Sequence, residues 1–252
     1  TIIIVICLLF TAYMVYLAFH DVITYEKFSF EHIPANISGL TIFFIADIHR
    51  RKIKQKTLRK ISQQIDFVVI CGDLVERGVS LKRMQDNIVK LKKWSTPVYF
   101  VWGNNDYEVD VEKMTKVLKR EEVIILKNTI DKFEKNNSNI NIIGLDYDEN
   151  LEKVPQLNWE QLGKSFTLLL THHPASFIEM DEHLKRKVDL VLAGHTHGGQ
   201  IRFLKLGLYQ NGGIYKSGNT TMFITEGYGY TLLPLRFQTN AQCHVITLEK
   251  SK

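Results

Sequence analysis

Five separate stretches of the chain share one pattern, a short and continuous apolar run that stops at an acid, an amide or a histidine. Because these runs lack an alternating polar face, they predict strands that are buried between two layers. Ligands collect at the carboxyl ends of the strands in open α/β sheets, so the polar residues that end the five runs are predicted to form one site. The runs are residues 40–47, 66–73, 97–106, 165–173 and 188–197.

The segments around these runs predict the rest of the architecture. Helical patterns lie at residues 54–64, 80–94, 111–120 and 174–184, and their alternation with strands indicates an α/β layered domain. The segments TYEKFSFEHI and NINIIGLD predict two further strands, while TTMFITEG and CHVITLEK in the tail suggest a closing set of antiparallel strands. The sequence shows no internal repeat and no second domain boundary.

The N-terminal segment Ile2–Phe19 is an almost unbroken apolar stretch without a charged residue. About 18 residues are just enough to cross the roughly 30 Å hydrocarbon layer as a helix. A signal peptide would have a shorter apolar region followed by a small-x-small cleavage site, and no good site precedes His20. A buried helix of a soluble domain would usually show a polar face. We therefore expect a transmembrane anchor at residues 1–20 and one domain at residues 21–252.

Charge and cysteine usage narrow the setting. The first lysine after the anchor is Lys27, so the positive-inside tendency leans towards a domain outside the cytoplasm. The net charge of +5 fits an anionic substrate or a membrane surface, and we expect no nucleic-acid partner. Much of the basic excess lies at residues 50–60, which we interpret as a solvated helix face rather than a binding patch. The three cysteines form no C-x-x-C pair, which argues against a disulfide framework or a thiolate metal site.

Seven side chains that can bind a metal lie at the ends of the apolar runs. Three offer oxygen and four offer imidazole nitrogen, a mixture that suits borderline divalent metals such as Mn, Fe, Zn or Co. Seven ligands exceed what one ion usually takes. If one carboxylate bridges, they divide evenly between two ions roughly 3.5 Å apart, as in two-metal hydrolases. The seven are Asp47, His49, Asp73, Asn104, His172, His195 and His197.

The order of these residues resembles a known family. D-x-H, G-D, G-N-x-D, H-x-P and G-H-x-H follow one another between residues 47 and 197, as in the calcineurin-like metallophosphoesterase superfamily. The segments GHTHGGQIR and LLPLRF further downstream resemble a branch of small, often membrane-associated phosphohydrolases.

The resemblance implies a fold, a metal centre and a reaction. The fold would be a four-layer αββα sandwich of two mixed β-sheets, here preceded by one N-terminal transmembrane helix. The reaction would be in-line attack by a metal-bridging hydroxide on the phosphorus of a phosphoester or pyrophosphate. The resemblance assigns Asp47, His49 and His197 to one ion, Asn104, His172 and His195 to the other, and Asp73 to a bridge between them.

Asn105 departs from the family pattern, because most members carry a histidine there that is thought to protonate the leaving group. An amide can donate a hydrogen bond to a phosphate oxygen but cannot deliver a proton near neutral pH. Loss of a general acid commonly costs a factor of ~10² to 10⁴ when the leaving group is poor. The chain could therefore hydrolyse substrates with good leaving groups, recruit another acid such as His173, or be a membrane protein that binds metal without catalysis. The presence of all seven inferred ligands favours an active enzyme.

Four further residues have more than one interpretation. His173 follows a candidate ligand, so strand alternation points it away from His172, towards the substrate or towards a supporting role. Asp106 could orient a neighbouring group through a hydrogen bond. Arg202 and Arg236 could clamp a phosphate, although a scaffold role is the more ordinary one.

The anchor suits either a lipid-linked phosphate or a phosphorylated small molecule as substrate, because tethering alone argues only from proximity.

Overall fold

A computed structural model describes residues 1–148, 157–204 and 206–251 of the chain. Within these ranges the α-helices are α1 (Ile2–Phe19), α2 (Gln55–Arg59), α3 (Leu81–Leu91), α4 (Val111–Arg120), α5 (Ala175–Ile178) and α6 (Glu182–Lys185). The strands are β1 (Asp21–Phe30), β2 (Leu40–Ile45), β3 (Phe67–Cys71), β4 (Val98–Val101), β5 (Ile124–Leu126), β6 (Thr129–Lys135), β7 (Ser138–Gly144), β8 (Thr167–Thr171), β9 (Leu190–Ala193), β10 (Gly213–Ser217), β11 (Thr220–Ile224) and β12 (Ala241–Lys250).

The strands form two six-stranded sheets, in the orders β1-β12-β2-β3-β4-β5 and β10-β11-β9-β8-β7-β6. In the first sheet β12 runs antiparallel to β2, and the other neighbours are parallel. In the second sheet β10 and β6 run antiparallel to their neighbours, whereas β11, β9, β8 and β7 are parallel. Both sheets are therefore mixed, as predicted.

Three apolar clusters define the layers. One cluster lies between the two sheets and joins Phe44 of β2 to Leu168 of β8 and Phe223 of β11. A second fills the space between the first sheet and helices α3 and α4, and a third lies between the second sheet and helices α5 and α6. The order helix, sheet, sheet, helix confirms the predicted αββα sandwich.

The five apolar runs become strands β2, β3, β4, β8 and β9, and every residue of these strands is buried. A strand covered on both faces has no solvent side to mark with polar residues, which is why the runs show no alternation. β2, β3 and β4 are parallel neighbours in the first sheet, and β8 and β9 are parallel neighbours in the second. Their carboxyl ends therefore open towards the same region.

The predicted helices agree with the observed helices to different extents. Helix α4 has the predicted bounds, and α3 with the 3-10 turn Lys92–Trp94 covers the second prediction, with Ser80 accepting a hydrogen bond from the backbone N–H of Arg83. The first predicted helix shrinks to α2, because the chain beyond it turns inwards to bury Ile61 and Ile65. The fourth divides into the separate short helices α5 and α6.

The prediction of an antiparallel closing set is wrong for the tail strands. β11 and β12 lie in different sheets, and each has one parallel and one antiparallel neighbour. Alternation along a strand reports which face is buried, but it carries no information about the partner strand or its direction.

Helix α1 stands largely free of the domain, since only Met14 and Ala18 are buried. By length and composition alone it could cross a membrane, with a mean hydropathy of 2.7 over its 18 residues. The domain does touch it: the backbone N–H of Arg236 donates to the carbonyl of Met14 at 3.1 Å, and the rings of Phe10 and Phe237 lie 5.1 Å apart.

The basic stretch at residues 50–60 only partly forms a solvated face. Lys52 and Lys56 are exposed, in line with the expectation. Arg51 is buried, and its guanidinium lies 2.5 Å from the carboxylate of Asp21 and 4.3 Å from the ring centre of Tyr228. The interpretation of the whole stretch as a solvated face is therefore wrong for Arg51, which is paired in the interior.

Candidate metal centre

The seven predicted metal ligands all lie at one edge of the sandwich, where the two sheets present the carboxyl ends of their parallel strands. The first sheet supplies the residues after β2, β3 and β4, and the second supplies those after β8 and β9. The structure thus brings together side chains that are as far apart in the chain as Asp47 and His197. They are Asp47, His49, Asp73, Asn104, His172, His195 and His197.

One group of donors consists of Asp47, His49 and His197, all buried. The Nε2 atoms of His49 and His197 are 3.0 Å apart, and Nε2 of His197 lies 3.5 Å from Oδ1 of Asp47. The ligand atoms of the three residues all lie within 4.8 Å of one another, so these side chains could hold a metal ion.

A second group consists of Asn104, His172 and His195. Oδ1 of Asn104 lies 3.2 Å from Nε2 of His172 and 3.0 Å from Nδ1 of His195, and these two nitrogens are 3.2 Å apart. Asp73 stands between the two groups, with Oδ2 at 3.2 Å from Nε2 of His172 and 3.6 Å from Nε2 of His49. Its carboxylate is placed to reach both, and the carboxylate of Asp47 also lies within 4.8 Å of ligand atoms of Asp73 and His172.

The chemistry of this donor set fits divalent cations. Two pairs of imidazole nitrogens face each other at 3.0 and 3.2 Å, and at most one proton can lie between the members of each pair. Nδ1 of His49 lies 3.0 Å from Oε2 of Glu76, and Nδ1 of His172 lies 3.0 Å from the carbonyl oxygen of Cys71. The hydrogen bond of His172 and the ionic contact of His49 leave the Nε2 atoms of both histidines facing the centre, the arrangement typical of metal-bound histidine.

The buried carboxylates and imidazoles shift one another's pKa values. Burial alone would raise the pKa of Asp73, but His172 and His49 and the hydrogen bond from Asn105 hold it well below its usual range. Burial, partly opposed by His172, raises the pKa of Asp47 to about 6. Burial lowers the pKa of His172, yet Asp73 outweighs that effect and raises it to about 10. The centre is therefore a crowded set of charges that bound cations would neutralise.

Five of the seven candidate ligands have left-handed backbone conformations, with φ between 49° and 70°. Such a conformation costs a non-glycine residue roughly 1–2 kcal/mol. Strain of this kind concentrates at functional sites, where the surrounding structure holds it in place. Nothing in the sequence indicated it. The five are Asp47, His49, Asp73, His195 and His197.

Glycines beside the ligands allow the segments that carry the ligands to approach one another closely. A Cβ atom at Gly194 would lie 2.7 Å from Oδ2 of Asp47 and 2.8 Å from Cβ of Ala46. A Cβ atom at Gly103 would overlap the carboxylate and the backbone nitrogen of Asp73. Both positions therefore need glycine for space.

Asn105 and Asp106, in the turn after β4, contact the site differently. The amide of Asn105 donates to Oδ2 of Asp73 at 2.7 Å, and its backbone N–H donates to Oδ1 at 2.9 Å. Asp106 is buried, and its carboxylate accepts the backbone N–H groups of Gly103 and Val75 at 2.9 and 3.0 Å. Asn105 therefore faces the centre, whereas Asp106 fixes the shape of the turn.

His173 lies beside the candidate ligand His195, with their ring centres 4.2 Å apart. Its Nδ1 accepts the backbone N–H of Ala175 at 3.0 Å, which leaves the proton of the neutral ring on Nε2. Burial and the nearby His172 lower its pKa. Its role as an acid stays a prediction.

Sequence reasoning did not identify Glu76, which contacts both His49 and Arg50. The only signal in the sequence was an acid three residues after Asp73. Arg236 is fully buried and donates to the carbonyl groups of Glu226 and Gly229, so it supports loops rather than clamping a phosphate. Arg202 likewise donates to backbone carbonyl groups, those of Gly198 and Tyr209.

A cavity of about 400 Å³ opens at this centre. Its polar wall includes His49, Asp73 and Asn105, and its other wall is apolar and includes Leu208 and Leu232. The cavity is large enough for a phosphorylated small molecule or the head of a larger one.

Comparisons with known proteins agree with this geometry. Residues 40–199 match the sequence model of the family described as calcineurin-like phosphoesterase. The uncharacterized protein YpbG of Bacillus subtilis (strain 168) is 42% identical over 217 residues, covering 83% of this chain and 81% of that protein. A transmembrane protein with metallophosphoesterase domain from Danio rerio is 27% identical over 244 residues, covering 88% of this chain and 56% of that protein. The protein TT1561 of Thermus thermophilus shares the fold, with a TM-score of 0.51 at 13% identity, covering 76% of this chain and 90% of that one.

Proposed function

This chain belongs to the calcineurin-like phosphoesterase family, and we propose that it cleaves phosphoester or pyrophosphate bonds at a centre of two divalent metal ions. The observation that carries the proposal is the convergence of seven oxygen and nitrogen donors from five strand ends into one buried cluster. Mn, Fe, Zn and Co all suit such a mixture of donors.

The distances support a division of the donors into two groups with a shared carboxylate. Asp73 contacts a histidine of each group, which suits a bridging role. Asn104 is a weak ligand by itself, and the two imidazoles beside it compensate for that weakness. We assign Asp47, His49 and His197 to one ion, Asn104, His172 and His195 to the other, and Asp73 to the bridge.

When bound, the two ions would lower the pKa of the attacking water and neutralise charge on the phosphoryl oxygens. The residues of the chain set up that chemistry. Glu76 and the carbonyl of Cys71 orient His49 and His172. Asn105 lines the cavity, and its amide can donate a hydrogen bond to a phosphoryl oxygen but no proton. The site therefore favours leaving groups that are stable as anions, unless His173 in its protonated, imidazolium form supplies a proton.

We also propose that residues 1–20 anchor residues 21–252, the metallophosphoesterase domain, in the cell membrane, with the domain outside the cytoplasm. Helix α1 supports the anchor, because it is apolar and mostly uncovered by the domain. The lack of lysine and arginine before Lys27 supports the orientation.

A substrate panel with defined metal loading tests the proposal. The full chain, purified in detergent and loaded with Mn, Fe, Zn or Co, is expected to bind two ions and to hydrolyse p-nitrophenyl phosphate, its bis-ester or a nucleotide-sugar pyrophosphate. Metal content and product release are measured on the same samples. Two bound ions with no turnover of any substrate would instead support a catalytically impaired metal-binding membrane protein with a regulatory role.

A further inference from the structure

Two loops beside the cavity carry a group of exposed, large apolar side chains. Such side chains are normal one at a time on a soluble surface, but a contiguous patch marks a surface that something covers. Leu204, Leu208 and Leu232 are 87, 90 and 86% exposed, so none of the described residues of the domain covers them. We call this group the apolar rim; its members are Phe203, Leu204, Leu206, Leu208, Tyr209, Leu232 and Leu233.

The backbone at two rim positions shows that leucine is not there for local structure. Leu204 and Leu232 have φ values of 57° and 58° and lie at turns, where glycine or asparagine adopts that conformation at lower cost. A leucine that is both strained and exposed stabilises neither the turn nor the core. Its side chain is therefore free to make a contact outside the domain.

Four members of the rim line the cavity, and they are Leu208, Tyr209, Leu232 and Leu233. The ring centre of Tyr209 lies 6.2 Å from that of the candidate ligand His195. The side chain of Gln200 ties the two loops together, because it donates to the carbonyl of Thr231 at 3.0 Å and accepts the backbone N–H of Thr231 at 2.8 Å. Whatever covers the rim therefore also borders the entrance to the centre.

The rim lies beside the middle of helix α1. The ring of Phe203 is 5.3 Å from that of Phe237, which in turn is 5.1 Å from that of Phe10. Phe10 lies nine residues before Phe19, which corresponds to about 14 Å along the helix axis. If α1 enters a bilayer, a surface beside Phe10 enters the near leaflet with it.

The end of α1 has the features of a membrane interface. Lys54 donates from its ammonium group to the carbonyl of Phe19, which places a positive charge at the helix terminus. The ring of Phe19 is 5.6 Å from that of Tyr230, and Tyr16 is exposed one turn earlier. Aromatic and basic residues at this level are typical of the headgroup region, so the rim lies on the hydrocarbon side of it.

We propose that the apolar rim enters the near leaflet of the bilayer and that the centre cleaves a phosphate-containing bond in the headgroup of a membrane lipid. The inference rests on the proposed hydrolysis and names its substrate class. The lipid tails would stay in the bilayer beside the rim, so that only the headgroup has to reach the metal ligands. Water attacks the phosphorus, and its oxygen stays in the phosphate product. The P–O bond to the leaving group breaks, the leaving group departs with the bonding electron pair as an anion, and the protons of the water pass to the solvent.

The position of the rim can be tested without any activity. The full chain with Cys7→Ser and Leu206→Cys is labelled with an NBD fluorophore and placed in phosphatidylcholine nanodiscs; Cys71 and Cys243, the two remaining cysteines, are buried. Quenching by doxyl-labelled lipid is expected to be at least about twofold stronger at position 206 than at a control label on Val89→Cys, which is exposed on α3. Equal quenching at both positions would overturn the proposal. A label at position 206 that is shielded from water but not quenched by the lipid would indicate self-association of the chain, and this result would overturn the proposal as well.

The substrate class can be tested with two matched phosphodiesters that both release p-nitrophenolate. One is soluble bis(p-nitrophenyl) phosphate, and the other is the p-nitrophenyl phosphodiester of dioleoylglycerol in vesicles. The double variant Leu204→Glu, Leu206→Glu changes two exposed residues that do not line the cavity. Removing their apolar contact with lipid should lower kcat/KM on the lipid diester by about tenfold and change it on the soluble diester by less than about twofold.

The outcomes separate this inference from the proposed function. Equal losses on both diesters would show that the rim supports the site structurally, and unchanged rates on both would show that the rim is not used; either result overturns the lipid inference. Hydrolysis of the soluble diester alone by the unmodified chain also overturns it, while the phosphohydrolase proposal stands. Failure of the metal-loaded chain on both diesters and on a pyrophosphate would remove the proposed function, and the lipid-substrate inference with it.

Discussion

At the scale of single residues, we expect Asn105 to influence which substrates the proposed site can cleave. Its amide and backbone N–H both donate to Asp73, the carboxylate placed between the two groups of donors. A histidine at the same position could reach the same region and also carry a proton. The difference between the two side chains is therefore a difference in acid catalysis, and it depends on the leaving group.

We expect Asn105→His to raise kcat/KM for substrates with poor leaving groups by at least about tenfold, with a much smaller change for p-nitrophenyl esters. The reason is that a nitrophenolate leaves without protonation, whereas an alkoxide needs a proton. The measurement is a series of phosphoesters graded by the pKa of the leaving group. Equal effects along the whole series would contradict this account, and Asn105→Ala controls for loss of the amide.

Glu76 is a positioning residue, since it contacts His49 and not the cavity. We expect Glu76→Gln to weaken metal affinity by about ten- to a hundredfold, because the uncharged amide orients His49 less firmly and lowers its basicity. The measurement is the Kd of Mn²⁺ from a titration. Glu112→Gln, an exposed change on α4, is the matched control and should leave the Kd unchanged. A normal Kd for the Glu76 variant would show that His49 needs no such support.

At the scale of elements, the junction between helix α1 and the domain depends on a buried ion pair. Asp21, at the start of β1, contacts the guanidinium of Arg51 and accepts hydrogen bonds from Thr57 and Tyr228 at 2.5 and 2.7 Å. Burial alone would raise the pKa of Asp21, but these partners hold it below its usual range. The ion pair therefore stabilises the fold above pH ~3.8 and is lost only as the pH falls through the lowered folded-state pKa.

We expect Asp21→Asn to destabilise the domain by about 3–5 kcal/mol, because it leaves the buried Arg51 without its counter-charge. Thermal unfolding in detergent measures the change as a lower Tm. Asp86→Asn, which removes an exposed pair with Lys82, should cost less than about 1 kcal/mol. Similar small effects for both variants would show that Arg51 finds other partners.

At the scale of the whole molecule, the candidate metal centre joins the two sheets. Its donors come from β2, β3 and β4 on one side and from β8 and β9 on the other, so bound ions would link the inner layers of the sandwich. Metal at a thousandfold excess over its Kd would stabilise the folded state by about 4 kcal/mol. Metal binding, on which the proposed function depends, would therefore also stabilise the folded domain.

We expect chelation to lower the Tm of the full chain and metal addition to restore it. Asp73→Asn replaces the carboxylate shared by the two groups with an amide, which is a weaker metal ligand. The Tm of the variant should therefore rise much less on metal addition. Metal content is measured on the same samples as the Tm. Complete removal of metal with an unchanged Tm would contradict the idea that the centre links the sheets.

The sequence indicated an α/β layered domain and the candidate ligands because both depend on local patterns, whereas the four-layer sandwich was implied by the family resemblance. A strand buried on both faces is continuously apolar, and a polar residue at its end interrupts that run, as after β2 at Asp47 and after β9 at His195. All seven candidate ligands were named from such positions, and the structure places them together. The family pattern added the expected division between two ions, which remains a prediction.

Only the tertiary structure decided which of these local features meet. The sheet that each of β11 and β12 joins, the partnership of Glu76 with His49, and the burial of Arg51 all depend on contacts between residues far apart in the chain. The rim shows the same limit: its leucines are ordinary loop residues in sequence, and only the folded structure places Leu208, Leu232 and Leu233 at the cavity. The same is true of the contact of Phe203 with Phe237, which packs against Phe10 of α1. The burial of a strand and the position of its end are encoded in the local sequence, whereas the neighbours of that strand in space are set by the pairing of distant segments.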